Sequence, residues 1–132
     1  FCGMARRWKT QFNENAKAWS FFETVPELLH NSVEAYGSSP KISQHVMALL
    51  LHPNTVADQV NNRYHIVAQL LRHSGLSHRV LEGQKGPPLD QVLVMLLLGD
   101  YVSYYLAMLN GVDPSPTPAI VLAKQQLGEG FP

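Results

Sequence analysis

The chain has 132 residues, enough for one domain with a buried core. Hydrophobic residues make up 45% and charged residues 15%, a globular rather than a disordered composition. The formal net charge is zero, which excludes the basic excess of a nucleic-acid footprint, and a lone cysteine, Cys2, excludes an internal disulfide and a cysteine-built zinc site.

Met4, Trp8, Phe12, Ala16 and Trp19 recur at helical spacing and predict a first helix over residues 3–19, with the aromatics as core or interface residues. Glu14 falls on the opposite side of that stripe, near Arg7, Thr10 and Lys17. Pro26 and the cluster at 36–40 mark loops, with a short helical turn between them at 27–35. Residues 46–51 are six consecutive apolar residues, the pattern of a central strand in a parallel sheet. Pro53 can open the next helix and Gly75 can close it, with Val56, Val60, Tyr64, Val67 and Leu71 as its inner stripe. Residues 78–82 read as a second strand and 83–88 as a loop. Residues 89–110 read as a long, nearly all-apolar helix, the kind expected to be buried. An extended Pro-rich segment at 112–118 leads to a final helix at 119–127. The order helix, strand, helix, strand, helix, helix predicts an α/β fold with helices on the faces of a parallel sheet. Two strands are few for such a sheet, and the expectation is that its first strand or strands lie upstream of Phe1.

The opening FCGMARRW is neither a signal peptide nor an initiation site, and suggests a chain cut from something longer. The apolar run 92–98 is far short of the ~20 residues of a membrane span. A soluble protein with no membrane partner is expected, and the lone cysteine fits a reducing cytoplasm. The six histidines lack the i,i+4 and H-E-x-x-H spacings that place two ligands on one helix face, so no metal is expected. Neither a G-x-S-x-G elbow nor a nucleotide-binding glycine motif is present.

Three motifs occur in order: RRWKTQFNENAK at 6–17, PELLHN at 26–31 and LGDYVSYYLAMLNGVDPSPTPAIVLAK at 98–124. They resemble the C-terminal half of the bacterial and archaeal bifunctional phosphoglucose/phosphomannose isomerases, which carry two sugar isomerase (SIS) domains in tandem. The resemblance covers essentially the whole chain and is most specific at its two ends. It implies a three-layer α/β sandwich with a parallel sheet, working as a homodimer with a shared active site. It implies that residues 1–132 are the C-terminal SIS domain of such an enzyme, truncated at the N-terminus, with the N-terminal SIS domain of the same enzyme as partner. The implied reaction exchanges glucose 6-phosphate or mannose 6-phosphate with fructose 6-phosphate through a cis-enediol, without metal, nucleotide or other cofactor. Residue by residue, Glu14 matches the family's catalytic base. His30 matches the histidine that assists ring opening from the partner subunit, and Lys124 the lysine near the ring oxygen. The family's Ser/Thr-rich phosphate-binding loop belongs to the first domain, so this chain alone is expected to have little or no activity.

The chemistry suits these residue types. A carboxylate can remove a proton from a carbon beside a carbonyl, and a histidine or lysine can deliver one to a ring oxygen near neutral pH. Each has a plainer role available. Glu14 can pair with Lys17, His30 can be an ordinary loop residue, and Lys124 can be solvated. Asp100 interrupts an apolar helix and requires a partner if buried. Two rival functions use the same fold: a non-catalytic SIS module that binds a sugar phosphate and regulates a partner, or a dimerisation domain built on the helix at 89–110.

Overall fold

In a computed structural model that describes residues 1–128, the two apolar segments flanking the middle helix become parallel strands, β1 (Met47–His52) and β2 (Ser77–Glu82). Their register runs from Met47 opposite Ser77 to His52 opposite Glu82. The connection is α3 (Asp58–His73), giving a strand–helix–strand unit of the kind that needs a helical crossover. The described residues form five α-helices with this two-stranded sheet: α1 (Cys2–Glu14), α2 (Pro40–Ser43), α3, α4 (Pro88–Leu109) and α5 (Pro118–Gln126). Two 3₁₀ turns, Glu27–His30 and Ser32–Ala35, occupy the segment expected to hold a helical turn.

Alternation along β1 sorts the core into two halves, because successive side chains of a strand point to opposite faces. Leu50 packs with Leu28, Val67 and Leu71, so the 3₁₀ turns and α3 cover one face. Leu51 packs with Trp8 and Met95, so α1 and α4 cover the other. The result is an α/β fold with helices on both faces of a parallel sheet. Strand positions fall within one residue of those expected. Gly75 closes α3 as expected: its φ of 69° is left-handed, and its N–H bonds the carbonyl of Arg72.

Three expectations need correction. The first helix ends at Glu14 rather than at 19, because the chain turns through Lys17, whose φ is 52°. Ala16 stays buried, but Trp19 leaves the stripe and is 92% exposed. Pro53 does not open α3, which starts at Asp58. The intervening loop is held instead by buried Gln91, which accepts from Asn54 N–H at 2.8 Å and donates to Thr55 Oγ1 at 2.8 Å and to the Gly86 carbonyl at 3.0 Å.

The third correction concerns α4, which is not buried all round. Its inner stripe is Gln91, Met95, Gly99, Ser103 and Ala107, four residues apart throughout. Leu93, Leu97, Tyr101, Tyr105 and Met108 face outward. By length and composition the helix could cross a membrane, yet Gln91, Asp100 and Ser103 on it are all hydrogen-bonded within the fold. The inner stripe receives α1 closely. Trp8 Nε1–H donates to the Met95 carbonyl at 2.9 Å, and the indole lies over Gly99, where any Cβ would overlap it. Only glycine gives the tryptophan that space.

Candidate active site around the end of α1

Contacts between α1 and α4 climb in step along both helices, so the two run parallel. Trp8 meets Met95, Arg7 and Gln11 both donate to Asp100 Oδ1, and Asn15 Nδ2 donates to Ser103 Oγ at 3.0 Å. Asp100 thus has the partners its place in an apolar helix calls for. The Arg7 bond is 3.1 Å long between partly exposed groups. The climb brings the end of α1, with its Asn-Glu-Asn-Ala-Lys run at 13–17, beside the last turns of α4 and the Pro-rich segment behind them.

Four of those five residues are fixed. Asn13 Nδ2 donates to the Ala18 carbonyl at 2.9 Å, closing the turn that stops the helix. Asn15 is bound to Ser103, and buried Ala16 accepts at its carbonyl from Asn110 Nδ2 at 3.5 Å. Lys17 Nζ donates to the carbonyls of Glu14 at 2.6 Å, Pro116 at 2.8 Å and Pro114 at 3.4 Å. The side chain of Glu14 is the exception: it is exposed, and no described residue bonds its carboxylate. The plainer role, an ion pair with Lys17, is not formed, because the ammonium is turned to backbone carbonyls instead.

Beside this turn lies an open depression of about 650 Å³, lined by Lys9, Asn13, Lys17 and residues 18–21. Ser20 Oγ–H donates to the Lys9 carbonyl at 2.8 Å and holds the loop across it. Asn13 and Lys17, which flank Glu14 in sequence, line this depression, and Glu14 itself is not among its lining residues. A second, smaller depression of about 300 Å³ lies on the outer side of α4 between Leu97, Asp100, Tyr101 and Tyr104.

The other two candidates sit elsewhere. His30 is exposed at the end of the first 3₁₀ turn, whose Leu28 is anchored on the Leu50 face of the sheet. Glu14 belongs to the opposite layer. Lys124 is exposed on α5, which follows directly from the carbonyls that Lys17 holds. No hydrogen bond among the described residues joins Glu14, His30 and Lys124 to one another within the chain. Among the described residues, no group of three His, Cys, Asp or Glu side chains is placed to hold a metal ion.

Sequence reasoning missed Lys17, Ser103 and the carbonyls of Pro114 and Pro116. The proline spacing could have flagged a rigid segment, but nothing local shows that it lies against the end of α1. At the far end of the sheet, His52 packs at a tilt of 50° against Tyr64 with ring centroids 4.4 Å apart, and its buried Nε2 has no partner among the described residues. Burial pulls its pKa below the usual histidine value, against the opposing charge of Glu82.

Comparison with known proteins adds an independent line. The bacterial phospho-glucose isomerase C-terminal SIS domain family matches residues 2–127. A bifunctional phosphoglucose/phosphomannose isomerase of Aquifex aeolicus is 34% identical over 124 residues, which are 94% of this chain and 38% of that protein. A protein of the same name from Caldicellulosiruptor bescii is 32% identical over 96% of this chain and 37% of its own length. One from Thermoplasma acidophilum is 28% identical over 94% and 38%. The chain therefore spans less than two fifths of each of these curated relatives. No solved structure matches.

Proposed function

The chain belongs to the bacterial phospho-glucose isomerase C-terminal SIS domain family, and from that premise we propose that it supplies the proton-transfer half of an aldose–ketose isomerase acting on glucose 6-phosphate or mannose 6-phosphate. It is the C-terminal part of a two-SIS-domain cytoplasmic enzyme, a reading supported by the 38% of the Aquifex relative that it spans. Phosphate binding falls to the other domain, so this chain alone turns over little or no substrate.

In the proposed reaction the sugar ring opens first. His30, from a twin subunit, and Lys124 move protons at the anomeric hydroxyl and the ring oxygen. That His30 and Glu14 lie in opposite layers of one chain is compatible with a histidine supplied across a dimer. Glu14 then takes the proton from C2 of the open aldose. The C2–H pair becomes the C1=C2 bond of a cis-enediol as O1 gains a proton. Return of a proton to C1 and loss of one from O2 complete the ketose, with C2 oxidised and C1 reduced by the same two electrons. General acid–base help of this kind is worth ~10²–10⁴-fold.

The observation that carries the reading is the state of Glu14: a carboxylate with no partner among the described residues, in a turn whose other polar side chains are all committed. In the full-length enzyme, Glu14→Gln is expected to lower kcat by at least ~10²-fold with substrate binding retained. An unchanged kcat rules Glu14 out as the base. A second reading, in which the chain provides only an assembly surface, draws on the outward apolar face of α4. It expects Glu14→Gln and His30→Gln to leave turnover intact.

A further inference from the structure

The end of α1 contains a backbone choice that local preferences do not explain. Lys17 sits at φ 52°, a left-handed conformation that glycine or asparagine adopts at much lower cost. A lysine is kept there although its side chain forms no ion pair, and its ammonium is turned onto three backbone carbonyls. One of them, Glu14, closes α1. The other two, Pro114 and Pro116, lie in the segment that launches α5. An ammonium has three donors and no acceptor, so it can bridge three carbonyls that neither glycine nor asparagine could reach.

The bridge joins the end of α1 to the root of α5, beyond the 3.5 Å bond by which Asn110 Nδ2 reaches the Ala16 carbonyl at the end of α4. Among the described residues, Pro114 and Pro116 are bonded to the rest of the fold through Lys17. The segment is stiff in itself, with Pro114, Pro116 and Pro118 limiting its backbone and Asp113 Oδ1 accepting from Ser115 N–H at 2.8 Å. α5 buries none of its residues, so packing does little to locate it. A stiff arm that buries none of its residues depends on what holds its root, and Lys17 holds it.

We propose that Lys17 is a positioning residue: it straps the root of α5 to the end of α1 and so sets where Lys124 stands relative to Glu14. This rests on the isomerase reading above, in which those two side chains act on one substrate. Lys17 itself touches no reacting atom. Displacing catalytic groups by about an ångström costs on the order of 10²-fold in rate, so a strap matters even though it does no chemistry.

The informative substitution is Lys17→Gly in the full-length enzyme, because glycine takes the left-handed conformation freely and removes only the ammonium. The expected result with glucose 6-phosphate is a kcat lowered by about 10²-fold and a KM changed by less than about threefold, with melting temperature maintained. The pH dependence of kcat keeps its shape while its height falls, since no titrating catalytic group has been lost. Amide exchange speeds up in α5 and not in α3. Lys17→Arg, which can still donate to the same carbonyls, recovers most of the rate. A Lys17→Gly enzyme with unchanged kcat, alongside an inactive Glu14→Gln control, overturns the strap and leaves the isomerase reading standing. A fully active Glu14→Gln enzyme overturns both. If Lys17→Gly and Lys17→Asn both fail to fold, Lys17 is a folding residue and the positioning role is lost.

Discussion

The two faces of the sheet are built by different physics. On the Leu51 face, α1 and α4 meet through aromatic packing and a ladder of directed bonds: Trp8 to Met95, Gln11 and Arg7 to Asp100, Asn15 to Ser103. On the Leu50 face, Leu28, Val67 and Leu71 meet by apolar contact, with a directed bond from Tyr64 Oη–H to the Leu51 carbonyl at 3.0 Å tying α3 to β1 and none reaching the 3₁₀ turns from the sheet among the described residues. Hydrogen bonds have direction, and a ladder of them fixes both the rotation and the height of one helix against another. Apolar contact is non-directional and holds an element in place without fixing its angle so tightly. Glu14 is carried by the first kind of construction and His30 by the second. A group that must meet its substrate in a set geometry benefits from the rigid mounting. One presented to a second subunit can take its final position from that subunit.

Substitutions at the anchor of each face test this contrast. The largest effect is expected at Trp8, which is 3% exposed and joins the indole bond to the packing over Gly99. Trp8→Ala should cost ~3–5 kcal/mol in denaturant unfolding followed by circular dichroism, and α1 should lose amide protection along its length. A loss below about 1 kcal/mol would mean that α1 is not an integral layer. Leu28→Ala should cost less, ~2–3 kcal/mol, because its loss affects one 3₁₀ turn rather than a helix pair. Exchange should quicken at residues 26–35 and stay unchanged in α1. Equal quickening on both faces would show that the two are held in the same way.

The smallest effect concerns His52, on the same face as Leu50. Its folded pKa is lowered by burial. Above the ordinary histidine value of about 6.5, both folded and unfolded forms are neutral and this group's contribution to stability is intact. As pH falls below that value the unfolded chain takes the proton first, so stability drops until the folded pKa is reached. Melting temperature should therefore decline on acidification more steeply in the wild type than in His52→Gln. Parallel declines would show that His52 is not the group responsible.

Much of this was readable along the chain. Both strands, α4 and the end of α3 fall close to their expected positions, because apolar runs and the Gly that closes α3 act locally, whereas the start of α3 lies five residues past Pro53. The resemblance that named Glu14, His30 and Lys124 was equally a matter of local motif. What misled was each inference about coverage. Trp19 continues the stripe of α1 in spacing, yet the helix stops five residues before it, at bonds made to Ser103, Pro114 and Pro116. The helix at 89–110 is apolar on every side, but hydrophobicity says which residues benefit from burial, not whether anything covers them. Lys17 was legible only as a possible ion-pair partner of Glu14, because its actual acceptors include carbonyls 97 and 99 residues away.

The sequence by itself determined the order of elements apart from the one-turn α2, the parallel strand–helix–strand unit and the family, since periodicity, turn chemistry and motif all operate over short stretches of chain. The tertiary structure alone decided where α1 ends, which stripe of α4 is covered, and that Lys17 faces carbonyls rather than a carboxylate. Those outcomes depend on which distant groups arrive within hydrogen-bonding reach, and an N···O separation of about 3 Å is set by the packing of whole helices, not by the residues next to it in the chain.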